Sequence, residues 1–424
     1  MNYISLDRLS ISMIAYISIL SFFILKYSHK NFEREASGRK WIFELYFTVF
    51  SALLLFSTNH ILVVFLGFIL VSTGLHNLLL SFPERERAGY AAWKKFYLSR
   101  IGDLSFALAI YFFYKSFGTF FLTEALEISK TIPQERTMDV FFLPSLFFSL
   151  AALIKSAQFP FHFWLPETIE APTPVSAIMH AGIINAGGFL LVKFHFLFPE
   201  GNPVLWMILV SGMITVWIGG LSMLTQSDIK RKLAYSTLGQ MGFMMVEFAL
   251  GLYPLVILHL MGHGFYKAYG FLSAGSREFI PALPFRSPSY RFIVGSATLV
   301  LPLGLGLYYQ STEIAMVTLF TLTLIGFLPK DGWGYSIPFI LALCGGALVL
   351  PGIGEWITGV SLNQDYHHSI HSWVGVFFLS ALGFLVLSLP VWKNSSLFLS
   401  LYCLSQRGFL SGIFSDKFIQ RLKS

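Results

Sequence analysis

The sequence predicts an all-α, polytopic membrane protein of about thirteen transmembrane helices, with broken helices and inverted repeats. Three observations lead there. Of the 424 residues, 55% are hydrophobic and only 12% charged, where a soluble domain carries about twice that charged share. Apolar runs of roughly 17–25 residues, the length that crosses a bilayer, recur along the chain. Lysines and arginines gather in alternate connections between those runs, as the positive-inside rule requires. The formal net charge of +7 is thereby a matter of topology. No basic stripe interleaved with aromatics suggests nucleic acid as a partner, so the lipid bilayer is the expected surroundings.

The runs fall at about residues 9–27, 41–58, 60–82, 97–115, 139–158, 173–198, 203–224, 232–251, 253–275, 291–309, 311–328, 336–352 and 373–392. The first is long enough to span and ends in a basic flank, so it reads as a membrane helix rather than a cleaved leader. Lys30, Arg34, Arg39 and Lys40 follow the first run, and Arg85, Arg87, Lys94 and Lys95 follow the third. Lys230, Arg231 and Lys232 follow the seventh; Arg277, Arg286 and Arg291 follow the ninth. All four groups fall on one face, which the charge bias makes cytoplasmic, with the N-terminus outside. The opposite face holds Lys115, Lys130 and Arg136 beside Glu124, Glu127 and Glu135. The tail, with Lys393, Arg407, Lys417, Arg421 and Lys423, returns to the cytoplasmic face. Its SLFLSLYCLSQRGFLSGIF stretch reads as an interfacial amphipathic helix or a docking segment.

Two runs are interrupted. The fifth breaks at Gln158-Phe159-Pro160, and the tenth carries Pro302, Gly304 and Gly306. Five helices apart, they would be oppositely oriented, the pattern of inverted repeats with a transport path at the breaks. A proline kink without function is the plainer alternative.

The chemistry concentrates near the first break. Lys155 ends an apolar run, and a charge at the bilayer centre costs roughly 2.5–3.5 kcal/mol. Beside Ser156 and Gln158 it fits a water-accessible intramembrane proton site better than a lysine snorkelling to an interface. His180, about two turns into the following helix, is either a satisfied packing histidine or the next station. His259, His263 and Lys267 recur at i, i+4 and i+8, which turns by only about 80° and makes one polar stripe about 12 Å long. A proton relay suits two imidazoles and an amine so aligned. A zinc pair lacks an HEXXH glutamate and a third ligand, and a structural stripe bonding neighbouring helices is the other alternative. Arg100 and Asp103 stand at i, i+3: they either pair at the interface or Asp103 is the counter-charge of Lys155. Topology alone accounts for Lys230.

Other residues carry less. His367, His368 and His371 read as an exposed polar loop, and Cys344 and Cys403 as neither a disulfide framework nor a metal motif. No metal site is expected. Without a nucleotide-binding glycine loop, a haem or iron–sulfur motif or a serine elbow, the chain is expected to hold no cofactor and to be no enzyme.

Three segments carry a family resemblance: KSAQFPFHFWLPETIEAPTPVSAIMHAG, SDIKRKLAYSTLGQMGFMM and HLMGHGFYKAYGFLSAGS. They resemble the antiporter-like subunits of respiratory complex I (NuoL type) and of the Mrp cation/proton antiporters, over about Leu6 to Ser276. The resemblance implies that fold. It assigns proton transfer to Lys155, His180, His259, His263 and Lys267, and accessory weight to Asp103 and Lys230. It also implies a division into an antiporter-like core at 1–276, divergent helices at 277–392 and a cytoplasmic amphipathic tail at 393–424. Departures narrow it. The acidic residue of the family's WEGVGL-type helix falls at about Leu70, so the usual partner of the lysine is missing, and the tenth helix has no lysine.

The LHNLLLSFPERERAGYAAWKKFYLSRIGD stretch and the missing glutamate resemble the membrane subunits of DAB inorganic-carbon uptake complexes. That narrower resemblance implies a bacterial inner-membrane subunit that lets protons inward. Its implied partner is a large cytoplasmic, zinc-bearing DabA-type protein with carbonic-anhydrase-like chemistry. The competing expectations are a complex-I-like or Mrp-type subunit, and a membrane anchor that only docks a soluble enzyme.

Overall fold

The computed structural model describes residues 7–32, 38–81, 86–274, 287–309, 352–361, 370–388, 396–406 and 408–410, with positions 314–316, 318–319 and 322. Its helices are α1 (Arg8–Phe32), α2 (Gly38–Phe56), α3 (Ile61–Leu80), α4 (Glu86–Phe117), α5 (Leu122–Ser129), α6 (Thr137–Lys155) and α7 (Thr173–Ile178). After them come α8 (Ala186–Lys193), α9 (Val204–Thr225), α10 (Ile229–Ala249), α11 (Tyr253–Ser273), α12 (Pro288–Tyr309), α13 (Ile370–Ser388) and α14 (Ser396–Gln406). Among the described residues the β structure is an isolated bridge between His60 and Phe121.

Among the described residues, seven helical stretches are long and apolar enough to cross a membrane: Arg8–Asn31, Ile61–Leu80, Ala88–Phe117, Gln134–Lys155, Thr173–Lys193, Val204–Thr225 and Pro288–Tyr308. The outer surface fits that solvent. Phe22, Phe43, Phe50, Leu104, Tyr111 and Ile293 are all exposed, which lipid tolerates and water would not. Burial sorts the helices by depth. In the most apolar 18-residue window of Thr173–Lys193 94% is buried, which puts it at the bundle centre, whereas in that of Pro288–Tyr308 only 28% is, which puts it at the rim.

Local chemistry sets several ends. Asp7 Oδ1 accepts from the Ser10 amide at 2.6 Å to start α1, and Asp228 Oδ1 accepts from Arg231 at 2.7 Å to start α10. The predicted break after α6 is present. Ala157 takes a left-handed φ of 50°, while the Gln158 amide donates to the Leu153 carbonyl at 2.8 Å and the Ala157 amide to Ile154 at 3.3 Å. That pair of bonds is a Schellman ending, which satisfies the last carbonyls and turns the chain out of the helix.

Three expectations need correction. Lys94 and Lys95 are not loop residues: α4 begins at Glu86 rather than near residue 97, and both lysines are buried within it. A helix whose first turns are charged looks like a loop when only apolar runs are counted. The break expected at Pro302 is absent, because α12 continues through it. Proline is tolerated in membrane helices where neighbours satisfy the freed carbonyl. His371 falls in α13 rather than in a loop. The runs expected at 311–328 and 336–352 lie largely outside the described residues, as do Cys344, His367, His368, Arg34, Arg85, Arg277, Arg286, Lys393, Arg407, Lys417, Arg421 and Lys423.

Candidate functional site

The Schellman ending leaves Lys155 as the last residue of α6, at the negative end of the helix dipole, which favours a cation. The side chain crosses to α4. Its Nζ donates to Asp103 Oδ1 at 2.5 Å, with both side chains about one-tenth exposed. Arg100 Nη2 approaches the other oxygen of Asp103 at 2.7 Å, an ion pair without the alignment of a hydrogen bond. Both readings of Asp103 therefore hold together: it pairs with Arg100 along its own helix and neutralises Lys155 across the bundle. Breaking such a buried pair costs about 3–5 kcal/mol, since the orphaned charge stays in low dielectric.

The next element is held open. Between α7 and α8 the helix widens into a π turn, Met179–Ile183, that carries His180. The Ala181 carbonyl is taken by two side chains, Tyr16 Oη and Asn185 Nδ2, each donating at 2.6 Å. Ser156 Oγ, one residue past Lys155, donates to the Ile184 carbonyl at 2.9 Å and ties this turn to the end of α6. Such π turns occur frequently at functional sites. His180 is fully buried and stacks on Phe271 of α11, with ring centroids 4.6 Å apart. Neither of its nitrogens is hydrogen-bonded by a described residue.

Helix α11 presses on that turn. A Cβ at Gly264 would fall 2.7 Å from the Ala181 carbonyl oxygen and into the Tyr16 hydroxyl, so only glycine permits the approach. His263 and Lys267, on either side of Gly264, are buried. Lys267 Nζ donates to the Leu233 carbonyl of α10 at 2.8 Å. His263 and His259 ring centroids lie 6.2 Å apart, and neither His263 nitrogen is hydrogen-bonded by a described residue. The stripe is thus a real row, and His180 meets it from the centre.

Sequence reasoning missed what finishes the row. His259 Nδ1 lies 3.1 Å from both carboxylate oxygens of Glu247 on α10, and its Nε2 lies 2.7 Å from Gln240 Oε1. A carboxylate inside an otherwise apolar helix was the available signal. Lys230 lies apart from these groups. Its Nζ reaches the Ala171 carbonyl at 3.4 Å and ties the start of α10 to the segment before α7. Among the described residues no group of three His, Cys, Asp or Glu side chains converges to hold a metal.

Buried amines and imidazoles in series, with carboxylates at two points, are groups whose chemistry suits proton transfer without large movement. A family model described as NADH:quinone oxidoreductase/Mrp antiporter, transmembrane, matches residues 57–279, more than half of the chain. The chain belongs to that family. Within the antiporter family, the probable inorganic carbon transporter subunit DabB of Hydrogenovibrio crunogenus is 39% identical over 279 residues, 65% of this chain and 53% of that protein. The probable inorganic carbon transporter subunit DabB1 of Halothiobacillus neapolitanus is 35% identical over 381 residues, 85% of this chain and 64% of its own length. NADH-quinone oxidoreductase subunit L of Buchnera aphidicola is 34% identical over 272 residues, 64% of this chain and 44% of the relative. The chain therefore spans between about half and two thirds of the length of the DabB relatives it matches. The fold is also that of a chain in the Mrp complex from Dietzia, with a TM-score of 0.59 and 21% identity over 96% of this chain and 45% of the other.

Proposed function

We propose that this chain is the proton-conducting membrane subunit of an energy-coupled inorganic carbon transporter in a bacterial inner membrane, with its N-terminus outside and its C-terminus cytoplasmic. Protons pass through Lys155, His180, His263, Lys267 and His259, all within the region 1–276, and Asp103 and Arg100 set the charge at Lys155. The chain is a transport subunit and holds no cofactor. A large cytoplasmic DabA-type zinc protein would dock on it and carry the carbonic-anhydrase-like chemistry, using the inward flow to accumulate bicarbonate. Each proton supplies about 2.3 kcal/mol per 100 mV of membrane potential.

The observation that carries this reading is the buried Lys155–Asp103 pair beside a π turn that brings His180 to the α11 row. A carboxylate there neutralises a lysine inside the membrane, and the neighbouring π turn carries an imidazole whose nitrogens no described residue hydrogen-bonds. The relatives named as inorganic carbon transporter subunits support the carbon assignment over the wider family. The likeness to subunit L and to the Mrp fold favours the second reading, a subunit coupled to quinone reduction or cation exchange.

The test is bicarbonate-dependent growth, with copurification of whatever large protein stays bound in the membrane. Lys155→Met and Asp103→Asn should each abolish growth at ambient CO2 while the chain still reaches the membrane. Intact growth in both variants would discard the path, and a copurified quinone-reducing or Mrp assembly would favour the second reading.

A further inference from the structure

The proposed path leaves one buried cation unused. Lys95 lies on α4 eight residues before Asp103, about 12 Å nearer the start of that helix, which the charge bias makes the cytoplasmic end. It is 5% exposed, and its Nζ donates to the Ser72 carbonyl at 2.5 Å and to Ser72 Oγ at 3.0 Å on α3. Among the described residues it forms no ion pair.

Lys95 also shares a cavity with Lys155. The space, about 30 Å³, is lined by Lys95 and Lys155 with Ser72 and Ser99, and otherwise by apolar residues such as Leu75 and Met179. That is room for one or two water molecules, with polar partners to hold them. Among the described residues, the charged and titratable groups around Lys95 are few. Arg100 and Asp103 lie on its own helix, Lys155 on α6, and His76 on α3 with its Nδ1 3.2 Å from the Ala92 carbonyl. Asp103 is the one carboxylate among them, and Lys155 and Arg100 already occupy it. A second ammonium in this cavity would have no counter-charge, so two amines here are best served by one proton.

We infer that Lys95 is a proton-exchange residue on the cytoplasmic side of Lys155, the two amines passing one proton through the cavity they share. In that step an N–H bond of one ammonium breaks, cavity water relays the proton, and an N–H bond forms on the lone pair of the other amine. The charge of the pair is unchanged and nothing is oxidised or reduced. The pair does here what a carboxylate and a lysine would otherwise do: one member is loaded while the other is empty. This rests on the proton conduction proposed above.

The experiment reconstitutes the full chain with its copurifying partner into phosphatidylethanolamine–phosphatidylglycerol vesicles. Inward proton flux is driven by a potassium–valinomycin potential and read with a trapped pH dye. Lys95→Met, which cannot titrate, and Lys95→Arg, which does not release its proton, should each lower flux at least tenfold. Lys95→His should retain flux with its pH optimum moved toward acid. Wild-type flux and pH profile in Lys95→Met, alongside lost flux in Lys155→Met, would overturn the assignment of Lys95 and leave conduction standing. Unchanged flux in Lys155→Met would overturn conduction itself. If Lys95→Met fails to fold, nitrogen-15 lysine NMR of the wild-type chain decides: a buried neutral-amine signal at neutral pH supports the shared proton, and ammonium signals alone overturn it.

Discussion

Glu247 of α10 holds His259 of α11 by one edge of the imidazole, Nδ1 lying 3.1 Å from each carboxylate oxygen, while Gln240 takes the other edge at 2.7 Å. A doubly protonated ring satisfies both neighbours at once. A neutral ring satisfies both only if one neighbour turns to offer a donor, which the Gln240 amide can do by flipping. With Nδ1 donating, the ring is tied to Glu247 by a hydrogen bond to a carboxylate, which a glutamine would not reproduce. Replacing Glu247 with Gln should cost about 1.5–3 kcal/mol in detergent unfolding, the range for hydrogen bonds to charged groups. A double-mutant cycle with His259→Ala should return a coupling of about 1–3 kcal/mol. Additive effects of the two substitutions would show that the contact does not couple the residues.

Gly264 and Gly262 make a matched pair for testing how closely α11 meets the π turn. A Cβ at Gly264 has no room between Tyr16 and the Ala181 carbonyl, whereas one at Gly262 meets nothing within 4 Å. Gly264→Ala should destabilise the chain by about 1–3 kcal/mol and slow proton flux with it. Gly262→Ala should be neutral or stabilise by up to about 1 kcal/mol, because alanine is the better helix residue. Thermal melts of the two variants side by side check this, and equal shifts would contradict the packing described.

His195 lies beyond α8, outside the spanning segments. Burial pushes its imidazole below its ordinary range, opposed in part by the contact of Nδ1 with the Val192 carbonyl at 3.0 Å. With the folded value depressed, the folded chain binds fewer protons than the unfolded one once the pH falls below about 6.5. Stability is therefore level above about pH 6.5 and declines below it, by about 1.4 kcal/mol for each unit of depression. His195→Phe should flatten that decline in unfolding measured from pH 8 to pH 5. His60, displaced in the same direction by burial, should leave part of the slope in place. An unchanged slope in His195→Phe would remove His195 from this account.

Much of this was legible in the sequence because membrane insertion penalises ionisable groups so heavily. Lys155, His180, His263 and Lys267 stood out as costly residues in apolar runs, and helical spacing alone aligned His259 with the last two. What spacing does not carry is the contact between helices. The sequence left the role of Asp103 open because its two partners come from different elements, Arg100 from the same helix and Lys155 from another. Lys95 was hidden for another reason. The first turns of α4 are charged, so they read as a connection, and the lysine seemed solvated until the helix was seen to begin at Glu86. Pro302 misled in the opposite sense, since a residue that breaks helices in water need not do so in lipid.

The hydroxyl of Tyr16 has a consequence for how the chain can be divided. It comes from α1, 165 residues before the carbonyl it binds, and with Asn185 it holds that carbonyl, one residue past His180. A fragment lacking α1 would retain Lys155, His180, His263 and Lys267, yet the wide turn beneath His180 would be free to wind back into ordinary helix and swing the imidazole off its ring partner. The opening helix thus acts at a distance as a wedge, and the array of titrating groups is only as well aligned as that wedge is firmly seated.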